Sequence, residues 1–352
     1  MKLIDLNLGR NNNFDFIRFI AALLVIFSHS FPLSGNGGLE PLYMLTNGKA
    51  TIGSLAVAIF FITSGFLITM SYMHTKDPIK FIKSRCLRIF PALIVVVLLS
   101  SFVLGPIVSN MNAYQYFTNY QTYDYLKTIF LYPIQYDLPG VFVNNPYQIA
   151  VNGSLWTLSI EFTCYIFVLL LGIFKLLNKK IILAAFILSL IVPQFTISPL
   201  IDPYTHLFRY FFAGIFIYIF QDKVSIKSSW FLASLILLTL STISGHMNIG
   251  FAVFGSYIIT YLAFSPKIKF HKFAKYGDFS YGLYIIAFPI QQTITFVLNG
   301  KISPILLFII ASVIALILSS LSWHLIEKPA LGLKNKSILH VFKKANVLGT
   351  YK

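Results

Sequence analysis

Negative charge is scarce in this chain. Only 11 Asp and Glu stand among 352 residues, and all charged residues together make up 11%, less than half the share of an ordinary soluble domain. A water-soluble fold of this size could not cover its surface with so little charge, which excludes a disordered chain and nearly every soluble enzyme. Cysteine is almost absent. Cys86 and Cys164 imply no disulfide framework and no thiolate metal site, and no metal is expected. The charge that exists is mostly positive, with 27 Lys and Arg giving a formal +16. In a soluble protein that balance would suggest nucleic acid. In so apolar a chain it reads as the positive charge that cytoplasmic loops of membrane proteins collect, and no nucleic-acid partner is expected.

What is present is hydrophobic: 57% of the residues, with a mean hydropathy of +0.77. A helix that crosses a bilayer needs about 20 mainly apolar residues. Ten stretches qualify: 14–33, 52–72, 90–109, 152–174, 181–197, 204–221, 229–245, 249–265, 279–298 and 304–325. The fifth and sixth are weakest, being short or carrying His206 and Arg209. The segments are apolar all round and show no two-residue alternation. The expected fold is therefore all-α, a polytopic membrane protein of about ten transmembrane helices, and not a β-barrel. With the N-terminus inside, 22 lysines and arginines fall on inner connections and termini, and only Lys49, Lys127 and Lys301 on outer ones. That asymmetry puts both termini in the cytoplasm of a multi-pass cell-membrane protein. The first span has a basic lead like a signal peptide, but its length and His29 argue for a retained anchor. No internal repeat is evident. Residues 1–330 read as one membrane domain and 331–352 as a basic tail on anionic membrane lipid. The outer segment 110–150 holds eight tyrosines and three charges. It reads equally as an interfacial aromatic belt and as a neutral surface for a sugar chain.

Ionisable residues inside spans are functional suspects by default. Here they are Asp15, Arg18, His29, Glu161, Arg209 and His324. Arg18 and His29 are eleven residues apart on the first span, almost three turns, so they share a face about 16 Å apart along the axis. Asp15 is placed to pair with Arg18. Arg18 suits an anion arriving from the cytoplasm, and His29 suits a general base. A histidine bonded to a neighbouring carbonyl is the equally weighted alternative. Arg85 and Arg88, three apart in the basic segment before Pro91, are better suited than lysines to a polyphosphate; ordinary positive-inside charge is the alternative. Ser64-Gly65 reads as close helix packing. Glu161, on one face with Ser154 and Tyr165, could orient His29, bind a substrate hydroxyl or pair with Arg209. Ser280, Tyr281 and Tyr284 put hydroxyls on adjacent turns of the ninth span, with Gln291 and Gln292 further out. Glu327 and Lys328 before Pro329 read as a helix terminus with local capping.

In order, these segments are Arg18 and His29 with ten residues between, FFITSGFL at 60–67, RCLRIFP at 85–91, SLWTLSIEFTCY at 154–165, SYGLYIIAFP at 280–289 and EKP at 327–329. Together they resemble the acyltransferase type 3 family of integral membrane acyltransferases, over roughly residues 14–330. The resemblance implies about ten membrane helices, an acyl-CoA donor from the cytoplasm, most often acetyl-CoA, and a carbohydrate acceptor that can be lipid-linked. It implies that His29 is the essential histidine with Arg18 its partner, that Arg85 and Arg88 hold CoA, and that Glu161 is a second catalytic candidate. Ser280, Tyr281, Tyr284 and Trp156 are the candidates for substrate binding. Ala287 departs from the family pattern, standing where many members carry a histidine; its expected consequence is a different acceptor. No esterase-like domain is expected after the last span, and transfer is expected to finish within the membrane domain.

The expected reaction docks acyl-CoA on Arg85, Arg88 and Arg18 and brings its thioester to His29, which deprotonates an acceptor hydroxyl or itself takes the acyl group. No permanently bound cofactor is expected. A transporter or flippase for a lipid-linked glycan, or a polysaccharide polymerase, shares the many spans. The transporter does not need Arg18 and His29 on one face or paired arginines at a span entrance, and the polymerase would be expected to place its arginines on the outer side, which has almost none.

Overall fold

The computed structural model describes residues 2–6, 12–148, 150–195 and 198–335. Among these residues the chain is helical, without a strand. Its longer helices are α1 (Phe14–Leu33), α2 (Ile52–Thr75), α3 (Pro78–Val108), α4 (Trp156–Ile173), α5 (Lys179–Ile191), α6 (Asp202–Ile219), α7 (Ser228–Ile243), α8 (Met247–Phe264), α9 (Ser280–Val297) and α10 (Pro304–Gly332). Six of them, α1, α2, α3, α4, α8 and α10, are long and apolar enough to cross a membrane. The protein is therefore a membrane protein. Of the other four, α5 has 13 residues and α7 has 16, while α6 and α9 carry polar side chains buried against neighbours.

Two boundaries differ from the sequence reading in ways that matter. Helix α3 starts at Pro78, not near residue 90. Asp77 caps it, its carboxylate accepting from the Ile79 and Lys80 amides at 3.0 and 3.1 Å, and Pro78 fills the first helical position, where no amide partner is needed. The basic segment is thus the first turns of this helix, with Arg85 and Arg88 three residues apart inside it. Hydropathy hides this, because the charges lower the local average while leaving the helical backbone intact. Helix α10 likewise runs past residue 325 through a wider turn at Trp323–Glu327, so Glu327 lies inside the helix and is buried rather than capping its end. The tail beyond residue 335 and parts of the fifth span's end lie outside the described residues.

Packing is tightest between α2 and α6. A Cβ at Gly65 would stand 2.0 Å from the Phe211 carbonyl oxygen, and one at Gly214 would stand 2.1 Å from the Ile62 oxygen. The two backbones touch, as the Ser64-Gly65 reading expects. Phe14, Phe66 and Phe264 join α1, α2 and α8, with ring centroids 5.2 and 5.4 Å from Phe14. The outer faces of α7 and α10 stay apolar and uncovered, with Trp230, Ile236, Leu240, Val313 and Ile317 exposed. In water that would be an aggregation surface; in hydrocarbon it is the solvated face.

Helix α9 is the hub of the site. Pro289 lacks an amide hydrogen, which leaves the Ile285 carbonyl without its helical donor. Asn152 Nδ2 donates to it at 2.8 Å, while Asn152 Oδ1 accepts from the Ser154 amide at 3.2 Å. This ties the start of α4, with Ser154 and Trp156, to α9. Gln291 Nε2 donates to the Ile26 carbonyl and to Ser30 Oγ, both at 2.8 Å, which fixes α9 to α1 beside His29. Gln292 Nε2 donates to the carbonyls of Tyr147 and Ala150, each at 2.8 Å, anchoring the end of the tyrosine-rich segment. In that segment Tyr116 and Tyr125 are core residues, whereas Tyr114, Tyr120, Tyr123 and Tyr132 are exposed.

Candidate active site

A cavity of about 580 Å³ opens between α1, α2, α4, α6 and α9, with His29, Ser28, Ser154, Trp156 and Tyr284 among its lining. His29 is half-buried on its wall. The Phe288 ring meets it edge-on, centroids 5.2 Å apart, and no hydrogen bond is made to either ring nitrogen among the described residues. Its imidazole is thus held by packing, with both nitrogens available for chemistry. Ser28, the preceding residue, donates to Glu40 Oε1 at 3.2 Å, and the amides of Ile52 and Tyr43 donate to the same carboxylate at 2.6 and 2.7 Å. Glu40 is buried; it knits the turn between α1 and α2 over this side of the cavity. Sequence reasoning missed it, although a carboxylate is a rare thing in this chain.

A second, much smaller cavity of about 20 Å³ lies between Arg18, Phe60, Thr157, Glu161, Tyr281 and Tyr284, room for about one water. Val57 and Tyr284 wall both cavities. Tyr284 is pinned there by Thr157, hydroxyl to hydroxyl at 2.5 Å. Glu161 accepts from Ser64 Oγ at 3.0 Å and from the Tyr165 hydroxyl. It therefore joins α2 to α4 and faces the small cavity with Arg18; it contacts neither His29 nor Arg209.

Beyond the small cavity sits a charge cluster. Arg18 and Arg88 converge on one oxygen of Asp278, at 3.4 and 2.5 Å, and Arg88 also reaches Glu327 at 3.3 Å. Ser280 donates to Asp278 through its amide at 3.2 Å and its hydroxyl at 2.5 Å, and Ser322 donates to Glu327 at 3.0 Å. Burial alone would raise the Asp278 carboxyl, but the Arg88 and Arg18 guanidiniums and the Ser280 donors outweigh it and hold it down to about 2, so it stays ionised. Arg88 stands over the Tyr281 and Trp323 rings, 5.5 and 5.7 Å from their centroids. Arg85 is differently placed. It donates to Ser84 Oγ at 3.1 Å and approaches Ser71 Oγ at 3.5 Å, with no carboxylate in ion-pair reach among the described residues.

Several expected roles change. Asp278, and not Asp15, is the carboxylate that Arg18 holds. Ser280 is fully buried on Asp278, and the Tyr281 hydroxyl donates to the Ile89 carbonyl at 2.7 Å, so both brace the cluster. Tyr284 and Trp156 do line the large cavity. Ala287 does not; it packs in a seam of small residues with Ala22, Ala311 and Ala315. His324 Nδ1 is 2.8 Å from the Ser320 carbonyl on an exposed helix face. Asp278 and Glu327 were the least legible members of the cluster. Their signal was scarcity, two acids beside short Ser and Tyr motifs in a chain with 11.

A helical membrane protein with a histidine-walled cavity at one end of α1 and an arginine cluster at the other is what the geometry defines. The acyltransferase domain family (acyltransferase 3) matches residues 11–324, and the chain belongs to that family. It is 30% identical over 335 residues to an O-acetyl transferase of Shigella phage Sf6, covering 91% of this chain and 96% of the relative. It is 27% identical over 367 residues to nodulation protein 10 of Rhizobium leguminosarum bv. viciae, covering 94% and 96%. No solved structure matches.

Proposed function

We propose that this protein is an O-acyltransferase that takes an acyl group, acetyl by preference, from acyl-CoA on the cytoplasmic side and passes it to a hydroxyl of a cell-surface or exported carbohydrate. Family membership and the O-acetyl transferase relative support the chemistry. The lysine and arginine asymmetry supports ten spans with cytoplasmic termini. The observation that carries the reading is the adjacency of two cavities through the shared wall residues Val57 and Tyr284, with Arg18 at one end and His29 at the other.

On this reading the donor's phosphates engage the arginines and its thin pantetheine arm follows the line of the small cavity, which must widen at Tyr284 to admit it. Arg85 is the arginine with donors to spare; Arg88 is already committed to Asp278 and Glu327. The acceptor hydroxyl oxygen attacks the thioester carbonyl carbon while His29 takes its proton. The carbon–sulfur bond breaks, and the electron pair leaves with sulfur as CoA thiolate, which is then protonated. Glu161 acts through Ser64 and Tyr165 to hold α2 and α4 around this path.

Purified His29→Ala protein should accumulate normally and lose labelled-acetyl transfer by about 10²–10⁴-fold, the contribution of a general base. Wild-type rates from that variant would end the proposal.

A further inference from the structure

The large cavity has a second histidine, and it is built for a different task. His206 of α6 lines the wall. Its Nδ1 is 2.7 Å from Nη2 of Arg209. A guanidinium only donates, so Nδ1 accepts, and the proton of the neutral ring is carried by Nε2. His206 is therefore fixed as a donor, whereas His29 keeps both nitrogens unbonded.

Arg209 behind it is 2% exposed. No carboxylate lies within ion-pair reach of it among the described residues, and its Nε has no hydrogen-bond partner. A buried guanidinium without a counter-ion is costly, and the cation polarises the His206 N–H away from itself. Lys49 adds another cation to the same cavity wall and is exposed. Outside the longer helices, the connections at that end hold only two other lysines, Lys127, paired with Asp124, and Lys301. The one carboxylate on the wall is Asp202, which accepts from the Ser198 amide at 3.3 Å. Trp156 supplies a flat apolar face in the same space.

We propose that Lys49 and His206, backed by Arg209, form a subsite for an oxyanion carried by the carbohydrate acceptor, a carboxylate or a phosphate, and that Trp156 stacks on the sugar ring. This rests on the acyltransferase reading and names the acceptor class for the same cavity. The anion locks onto the wall formed by α6 and the α1–α2 connection, leaving a neighbouring hydroxyl to His29. The subsite sets acceptor affinity and takes no part in the acyl transfer itself.

The test uses the purified full chain in detergent and three probes: methyl glucoside, methyl glucuronide and glucose 1-phosphate. The two charged probes, or one of them, should raise the thermal midpoint at concentrations about tenfold lower than the neutral glucoside. Lys49→Gln and His206→Leu should each abolish that difference. Stabilisation by the glucuronide alone assigns an acidic sugar, and by the phosphate alone a phosphorylated acceptor. Equal responses to charged and neutral probes, including no response to any, overturn the subsite. Because Lys49 is exposed, its variant separates loss of the charge from failure to fold. Stabilisation by CoA is measured in parallel; its absence counts against the acyltransferase reading, and its presence with no charge preference counts against the subsite alone.

Discussion

Arg85 and Arg88 are three residues apart and look equivalent in the sequence, yet their surroundings separate them. Arg88 balances Asp278 and Glu327 in a buried cluster, and removing one partner of a buried pair leaves a stranded charge worth about 3–5 kcal/mol. Arg88→Ala should therefore lower accumulation and melting temperature. Arg85 touches only serine hydroxyls and the faces of Phe81 and Tyr165. Arg85→Ala should leave stability near wild type and raise the apparent acyl-CoA KM, by about 1.5–3 kcal/mol for a lost charged hydrogen bond. Steady-state kinetics and thermal unfolding of the two variants decide this; matching profiles would show that the cluster does not set them apart. Residue types and spacing marked both arginines as candidates. They could not announce the division, because Asp278 and Glu327 are distant in sequence and meet Arg88 only in the fold.

At the scale of elements, two contacts decide whether the site exists. Helices α2 and α6 meet backbone to backbone at Gly65 and Gly214, and α6 carries the His206 wall while α2 carries Ser64. Gly65→Val has to push the helices apart, at about 1–3 kcal/mol or more. It should lower the melting temperature and acceptor turnover together; a stable, fully active variant would contradict the close approach. The second contact is Tyr284 against Thr157 between the two cavities. Tyr284→Trp should block the line of the small cavity, lowering turnover with acyl-CoA while CoA still stabilises the protein from the arginine end. Unimpaired turnover in that variant would place the donor's path elsewhere. The sequence did mark both places, as a Ser-Gly pair inside an apolar run and as a Ser-Tyr-Tyr motif. It assigned Ser280, Tyr281 and Tyr284 alike to substrate; in the fold Ser280 and the Tyr281 hydroxyl bond to Asp278 and Ile89, Tyr281 keeps a place on the small cavity, and Tyr284, one turn on, walls both cavities.

For the molecule as a whole, cysteines introduced singly at Lys175 and Ser303, in a chain with Cys86 and Cys164 replaced, test the orientation. An impermeant thiol reagent applied to intact cells should label position 303 and not position 175; the reverse pattern would invert the protein and move the arginines to the wrong side for a cytoplasmic donor. The all-helical membrane fold and the presence of Arg18 and His29 eleven residues apart on one helix were already determined by composition, run length and the 3.6-residue repeat, which are local properties. The sharing of Asp278 by two arginines, the burial of Glu327 on Arg88 and the confinement of Glu161 to a different cavity from His29 were decided only in three dimensions. In a chain this apolar, each of the few polar groups must find a partner inside the bundle, and which partner it finds depends on how helices far apart in sequence are packed together.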